Sequence, residues 1–176
     1  ILLKNDQILR VDNDTQIINN YHNNNFKKKI VNILPKYNFL IISDYNKGFL
    51  DQDLIKYLIN IANKYNIVTF IDSKKEFLSL KGAHYIKPNK KELNDQMVKL
   101  EIKSQKKFIS FLSKENIFKS GILLTKGKNG MVLFRKNQSA IIENGRKVNM
   151  RDVSGAGDVS IAYFCFLKSL ELNDNL

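Results

Sequence analysis

The stretch DVSGAGD occupies Asp152–Asp158 and continues directly into an apolar run at Val159–Leu167. Such a run is typical of a buried helix or strand. Two glycines separated by one alanine would leave the backbone amides of Gly155, Ala156 and Gly157 uncovered at a helix start. N–H groups there have no intrahelical partner, and the helix dipole favours an anion. The stretch therefore predicts a turn that binds a phosphate group.

Asp158 lies one residue into this predicted helix, beside the anion site. A carboxylate gains nothing by binding phosphate, but it can accept a proton from an attacking hydroxyl group. The combination indicates phosphoryl transfer, with Asp158 as the general base and the turn amides stabilising the transferring group. We also expect a side chain at Gly157 to clash with the phosphate and to force a disfavoured backbone.

Two other interpretations of the glycine stretch remain open. It could be half of a dinucleotide-binding fingerprint, but Ser160 stands where a third glycine is needed, and Lys147–Asp152 is too polar for a central strand. It could also be a plain tight turn into a helix. That interpretation would be favoured if Asp158 and the motifs upstream were absent.

Four more motifs precede this stretch, namely SDYNKG at Ser43–Gly48, DSK at Asp72–Lys74, PNKKE at Pro88–Glu92 and TKGKNG at Thr125–Gly130. Together with DVSGAGD, in this order, they resemble the ribokinase-like (PfkB) sugar kinases. The resemblance implies an α/β fold of three layers, α/β/α, with a mainly parallel sheet, and ATP- and Mg²⁺-dependent phosphorylation of a sugar hydroxyl. Within the family, the first and last motifs are most similar to the kinases that phosphorylate D-glycero-β-D-manno-heptose 7-phosphate at C1, on the way to ADP-heptose and lipopolysaccharide.

The resemblance assigns cofactor roles to residues of two motifs. Asn89 and Glu92 would hold Mg²⁺ through water, although their spacing at a helix start also fits a cap with its N3 glutamate. Thr125, Gly127 and Gly130 would contact the nucleotide phosphates, because glycines let a backbone approach a ligand. A plain hairpin turn is the alternative for this segment.

Other residues are candidates for contacts with substrate or nucleotide. Asp44 and Lys47 lie in a strand-end loop and would face the substrate, with a solvated turn as the alternative. Asp72 and Lys74 could support the nucleotide phosphates. Arg10 belongs to a segment that resembles the base of the family's lid, where an arginine could meet the phosphate of the sugar.

The chain begins at Ile1 rather than at Met. By the resemblance, most of the sugar site and part of the lid would precede Ile1, and the adenine site would follow Leu176. We therefore expect residues 1–176 to be a partial kinase domain, incomplete at both ends. Three possibilities stay open: another kinase of the family acting on fructose, ribose or a nucleoside, a non-catalytic remnant of the fold, and a homodimer formed through the lid region.

Composition bounds the other classes of function. The net charge is +12, but the lysines are scattered and aromatic residues do not alternate with them, so we expect a sugar phosphate partner and no nucleic acid. No apolar run reaches ~18 residues, which argues against a membrane span. The single cysteine, Cys165, is expected in the core, and His22 and His84 lack partners at metal-ligand spacing. A cytoplasmic location is the default expectation.

Hydrophobic patterning predicts alternating strands and helices, and therefore a mainly parallel sheet with helices on both faces. The predicted strands are Ile8–Val11, Phe39–Ile42, Ile67–Ile71, Tyr85–Lys87, Ile122–Thr125 and Met131–Phe134, with a hairpin at Gln138–Met150. The predicted helices are Phe26–Leu34, a helix capped by Asp51 or Asp53 that extends to Tyr65, Asn89–Val98 and Ser104–Leu112. The motifs fall at the carboxyl ends of strands, where ligands bind in such sheets.

Overall fold

The computed structural model describes residues 2–3, 6–7, 24–145 and 155–174. The helices are α1 Asn24–Ile33, α2 Gln52–Lys64, α3 Lys90–Lys99, α4 Gln105–Lys114 and α5 Ala156–Asp174, and short 3₁₀ turns lie at Leu34–Lys36, Phe77–Leu80 and Gly127–Asn129. The strands are β1 Leu2–Leu3, β2 Asp6–Gln7, β3 Phe39–Asp44, β4 Val68–Ser73, β5 Ala83–Ile86, β6 Phe118–Thr125, β7 Met131–Arg135 and β8 Ile141–Glu143.

Six strands form one sheet in the order β3-β4-β5-β6-β7-β8. The first four are parallel, and β7 and β8 add to β6 as antiparallel strands. The parallel strands therefore present their carboxyl ends at the same edge of the sheet. β1 and β2 pair with each other as a separate antiparallel ribbon.

Local sequence explains where the helices begin. Asp51 caps α2, because its Oδ1 accepts a hydrogen bond of 2.7 Å from the Leu54 N–H. This contact selects Asp51 over Asp53 as the cap. Ser104 caps α4 in the same way, through a hydrogen bond of 3.4 Å from the Lys107 N–H.

The core lies on both faces of the sheet. On one face, Ile42, Ile71 and Ile86 of three neighbouring strands pack with α2, α3 and α4. On the other face, Phe70 packs with α5 through Ile161 and Cys165, which are buried. The predicted three-layer α/β/α fold with a mainly parallel sheet is confirmed.

Most predicted elements are confirmed, with shifts at their ends. β6 begins at Phe118, four residues before the predicted start at Ile122, because Lys119 points outward and interrupts the apolar pattern without interrupting the strand. β8 pairs with β7 as one arm of a hairpin. The predicted strand Ile8–Val11 and the second half of the Gln138–Met150 hairpin lie outside the described residues.

The apolar run Val159–Leu167, predicted as a buried helix or strand, is a helix that is buried along one side only. Val159 and Tyr163 are 69% and 61% exposed. A helix lying on a sheet buries one stripe of side chains, and in α5 the fully packed positions are Ile161 and Cys165. Within the described part of the chain, no helix has both the length and the apolar character needed to cross a membrane.

Candidate active site

Three polar side chains meet at the carboxyl ends of adjacent parallel strands. Ser43 of β3 and Asp72 of β4 are register partners, and Lys87 directly follows β5, its N–H donating a hydrogen bond of 2.8 Å to the Ile71 carbonyl. These side chains alternate with the core residues of the opposite face, so they point to the layer that contains α5. The first turn of α5 lies over them.

The turn that starts α5 uses its first glycine for backbone freedom. Gly155 has φ +75°, a left-handed value that favours glycine, and a Cβ built on it would meet nothing within 4 Å. The first intrahelical hydrogen bond of this turn runs 2.9 Å from the Val159 N–H to the Gly155 carbonyl. The first amides of an α-helix generally have no intrahelical carbonyl partner, so this turn is a place where an anion can bind.

Neither the backbone of Gly157 nor the space around it requires a glycine. Its φ lies outside the left-handed region, so the expectation that a side chain there forces a disfavoured backbone is wrong. A Cβ at this position would make ordinary van der Waals contacts, 3.5 Å from both Asp72 Oδ2 and Lys87 Nζ. The expected clash with a bound phosphate stays a prediction, and the left-handed backbone belongs to Gly155. Residues 152–154 of the motif lie outside the described residues.

A buried ion pair lies beneath the turn. Lys87 Nζ contacts Asp72 Oδ2 at 2.7 Å, and the two side chains are only 6% and 21% exposed. Burial raises the pKa of Asp72, while Lys87 opposes that rise by hydrogen bonding and by charge. The pair brings the Lys87 ammonium close to the turn that starts α5, and the Asp72 carboxylate lies equally close to it. Lys87 was missed in the sequence, although a lysine ending an apolar central strand was the available signal.

Asp158 accepts hydrogen bonds on both carboxylate oxygens. Ser43 Oγ donates to Oδ1 at 2.8 Å, and the Tyr45 hydroxyl donates to Oδ2. The hydrogen bond from Tyr45 and then that from Ser43 lower the pKa of Asp158, and the charge of Lys87 lowers it further, whereas partial burial opposes them. The carboxylate is therefore ionised at neutral pH and able to accept a proton. Sequence reasoning named neither hydroxyl residue, although both stand in the SDYNKG motif.

Asn89 and Glu92 form a complete capping box at the start of α3. Asn89 Oδ1 accepts from the Glu92 N–H at 2.9 Å, and Glu92 Oε2 accepts from the Asn89 N–H at 2.8 Å. Lys74, 51% exposed, reaches Glu92 Oε1 at 3.2 Å. The two residues thus form the predicted helix cap, and the carboxylate of Glu92 still has lone pairs that can accept hydrogen bonds from metal-bound water.

These residues fit a water-mediated magnesium site. Hard oxygen donors suit Mg²⁺, which keeps several of its own waters in proteins. Within the described ranges, no three His, Cys, Asp or Glu side chains cluster to bind a metal directly. A metal near Glu92 would therefore be held mostly through water, and the role of Asn89 and Glu92 in binding it stays a prediction.

The TKGKNG segment forms the tight connection between β6 and β7. The Lys126 N–H donates to the Gly130 carbonyl at 2.8 Å, so the hairpin-turn interpretation describes its geometry. Gly130 is required by packing, because a Cβ there would lie 2.0 Å from the Glu143 carbonyl oxygen. Gly127 has φ +57° and open space around its Cα. Thr125 lies beside Asn89 through an isolated bridge, and a nucleotide contact by this segment stays a prediction.

The candidates for substrate contact differ in position. Asp44 is only 5% exposed, and it accepts hydrogen bonds of 2.8 Å from Ser73 Oγ and from the Asn46 N–H. Its carboxylate holds the loop together, so burial does not favour the predicted role in binding substrate. Lys47 is exposed in that loop, and Arg10 lies outside the described residues.

The fold is that of an α/β domain with a cluster of polar side chains at the carboxyl ends of its parallel strands, and comparison with known proteins places it in a family. The sequence profile described as "pfkB family carbohydrate kinase" matches residues 7–167. The chain belongs to the pfkB family of carbohydrate kinases. The predicted resemblance is thereby confirmed.

Among curated proteins, the chain is similar to bifunctional proteins named HldE. It is 30% identical over 182 residues to the protein of Helicobacter hepaticus and 33% identical over 175 residues to that of Aliarcobacter butzleri. Each match covers 96% of this chain and 36% of the relative. An uncharacterized sugar kinase of Buchnera aphidicola is 33% identical, covering 92% of this chain and 51% of that protein. The chain thus spans about a third of the bifunctional relatives.

Solved structures share the fold. Arabidopsis thaliana ribokinase, complexed with ribose and ATP, aligns with a TM-score of 0.62 at 15% identity, over 78% of this chain and 45% of that one. The tetrameric inhibited form of Escherichia coli phosphofructokinase-2 aligns with a TM-score of 0.66 at 20% identity, over 87% of this chain and 51% of that one. At these identities the likeness concerns the architecture alone.

Proposed function

We propose that the complete protein transfers the γ-phosphoryl group of ATP to a hydroxyl of a sugar phosphate. The observation that carries the proposal is the position of Asp158. An ionised carboxylate directly follows Gly157 in the first turn of α5, close enough to the buried ammonium of Lys87 for that charge to lower its pKa. Proton acceptor and anion-binding groups are thus adjacent, as phosphoryl transfer to a hydroxyl requires.

The chain's own groups divide the work of the transfer. The amides of Gly155, Ala156 and Gly157, with Lys87 beneath them, stabilise the negative charge of the transferring group. Preorganised donors of this kind contribute about 3–4 kcal/mol each where they have been removed singly from other enzymes. Asp158 takes the proton of the attacking hydroxyl. The acceptor oxygen then forms its bond to phosphorus as the bond to the leaving ADP breaks.

Asn89 and Glu92 would hold the magnesium ion through water, with Thr125, Gly127, Gly130 and Lys74 arranged along the nucleotide phosphates. When bound, Mg²⁺ neutralises charge on the β- and γ-phosphates. Lys74 keeps Glu92 oriented by their 3.2 Å ion pair. The capping box fixes Asn89 and Glu92 at one helix start, so both side chains hold their positions without the metal.

The acceptor we propose is D-glycero-β-D-manno-heptose 7-phosphate, phosphorylated at C1. The similarity to the HldE proteins over 96% of this chain supports that assignment. The motifs SDYNKG and DVSGAGD, which resemble the heptose subgroup, are the part of that similarity that lies at the site. A phosphorylated, anionic substrate also agrees with the net charge of +12.

The test is a panel of sugars with ATP·Mg²⁺ and the complete reading frame that contains this chain. Heptose 7-phosphate, ribose, fructose and a nucleoside serve as acceptors, and Asp158→Asn is the inactive control. We expect heptose 7-phosphate to be preferred at least tenfold in kcat/KM, about 1.4 kcal/mol of transition-state discrimination. A tenfold preference for free ribose or fructose would overturn the heptose assignment. No transfer to any sugar would overturn the kinase assignment.

A further inference from the structure

Two hydroxyl groups from one strand end hold the carboxylate of Asp158. Ser43 is the fifth residue of β3, and its Oγ lies 2.8 Å from Asp158 Oδ1. Tyr45 follows two residues later, and its phenol donates to Oδ2. Asp158 is 113 residues away from Tyr45 in the sequence, so only the fold brings them together.

The buried carboxylate of Asp44 holds the loop that carries Tyr45 in place. Asp44 fixes its backbone by accepting the Asn46 N–H at 2.8 Å, and Ser73 of the adjacent strand holds the other oxygen of Asp44 at 2.8 Å. Tyr45 is therefore flanked by a buried residue on one side and a hydrogen-bonded residue on the other. Tyr45 as a whole residue is 54% exposed, as a residue at the mouth of a site would be.

We propose that Tyr45, assisted by Ser43, is a positioning residue that orients Asp158 toward the acceptor hydroxyl. The inference rests on the proposed function, in which Asp158 is the base. A carboxylate has about four lone-pair sites, so two hydroxyl donors leave sites for the substrate. Holding both oxygens fixes the rotation of the carboxylate and directs a remaining lone pair to one place. Orientation of a reacting group in this way contributes to the rate.

Tyr45 supports the base without replacing it. The hydrogen bond to Asp158 raises the pKa of Tyr45, so the phenol keeps its proton at neutral pH. Asp158 also faces Asp72 at the end of β4 and Lys87 after β5, whose opposite charges form an ion pair. In the transfer step the proton moves from the sugar hydroxyl to Asp158, and the proton of Tyr45 stays where it is.

The experiment is a double-mutant cycle in the complete protein. Tyr45→Phe removes the hydroxyl and keeps the ring. The matched control is Tyr37→Phe, which lies two residues before the start of β3 and is 58% exposed. We expect Tyr45→Phe to lower kcat about 10- to 100-fold, the range for a hydrogen bond to a charged group. KM for ATP stays unchanged, and the melting temperature falls only slightly, because one exposed hydrogen bond is lost. All parameters of Tyr37→Phe stay unchanged.

The Asp158→Asn background decides how Tyr45 acts. If Tyr45 works through Asp158, Tyr45→Phe changes the residual rate of Asp158→Asn by no more than about twofold, the scatter of independent sites. A full loss in both backgrounds would assign Tyr45 a different role and overturn the inference. So would a Tyr45→Phe enzyme with the kcat of Tyr37→Phe. If Asp158→Asn itself stays active, the proposed function fails instead, and the two failures are distinguished.

Ser43→Ala removes the other hydroxyl donor to Asp158. We expect it to lower kcat in the same way as Tyr45→Phe, but by a smaller factor.

Discussion

Asp44 is the last residue of β3, and Asp158 of α5 is hydrogen-bonded to side chains from that same strand end, yet the two carboxylates differ in burial and in their partners. Asp44 is 5% exposed, and a serine hydroxyl and a backbone N–H hold its two oxygens beneath the loop. Asp158 lies in the first turn of α5 on the other face of the sheet, and the hydroxyls that hold it come from exposed residues. One carboxylate is part of the scaffold, and the other is accessible to a ligand.

The difference shows how one strand end serves two purposes. Successive side chains of a strand point to opposite faces, so Ser43 faces α5 and Asp44 faces the helices on the other side. The motif SDYNKG therefore combines a structural carboxylate with two hydroxyl donors for the site. A carboxylate in a motif is not for that reason a ligand of the substrate.

The largest effect on stability is expected at the Asp72–Lys87 ion pair, which lies between the sheet and α5. Asp72→Asn leaves the Lys87 ammonium buried without a charged partner, which should lower the free energy of unfolding by about 3–5 kcal/mol. Urea unfolding of the complete protein measures it, with Asp95→Asn on the exposed surface of α3 as the control. The double variant Asp72→Asn, Lys87→Met should recover much of the loss. Equal stability of Asp72→Asn and the control would contradict a buried pair.

Asp44→Asn tests the scaffold half of the comparison. An asparagine side chain has one acceptor oxygen, so one of the two donors, Ser73 Oγ or the Asn46 N–H, loses its partner. We expect the free energy of unfolding to fall by about 1–3 kcal/mol. The sugar KM of the folded variant should stay unchanged, and a large rise in that KM would restore Asp44 as a substrate ligand.

Glu92→Gln separates the capping role from the metal role. Glutamine also serves at this position of a capping box, so the helix start should persist. We expect the Mg²⁺ concentration for half-maximal rate to rise about tenfold, as for other groups that orient a metal and its waters. Glu115→Gln, exposed at the end of α4, is the control. An unmoved Mg²⁺ dependence would leave Glu92 with its capping role alone.

The smallest expected effect is on the pH dependence of stability, compared between the native protein and Asp158→Asn, in which a neutral amide replaces the carboxylate. The hydrogen bonds of Tyr45 and Ser43 lower its pKa in the folded state, so ionised Asp158 contributes stability above its unfolded pKa of about 4. That contribution is lost as the pH falls through the lowered pKa. Melting curves of the native protein and Asp158→Asn between pH 7 and pH 3 measure it. The pH-dependent part of their difference should shrink at the acid end, and growth there would refute the sign.

Much of the architecture was accessible from the sequence because buried parallel strands are continuous apolar runs. The glycine turn and Asp158 were accessible because they are adjacent in the chain. Tyr45 and Lys87 each stood at a recognisable strand end, but their roles were not identified, since these depend on their position beneath α5, which lies far from both in the sequence. The burial of α5 was overestimated for a related reason. Apolarity predicts a packed helix, but only the fold decides which stripe faces the sheet.

The rate of phosphoryl transfer in a single turnover tests the central claim most directly. Asp158→Asn and Asp44→Asn are compared in the complete protein, with saturating ATP·Mg²⁺ and heptose 7-phosphate. The proposed mechanism predicts that Asp158→Asn is slower by about 10²- to 10⁴-fold while still binding ATP, because general-base catalysis is lost. Folded Asp44→Asn should transfer at nearly the native rate. An Asp158→Asn rate within about threefold of native would contradict Asp158 as the base.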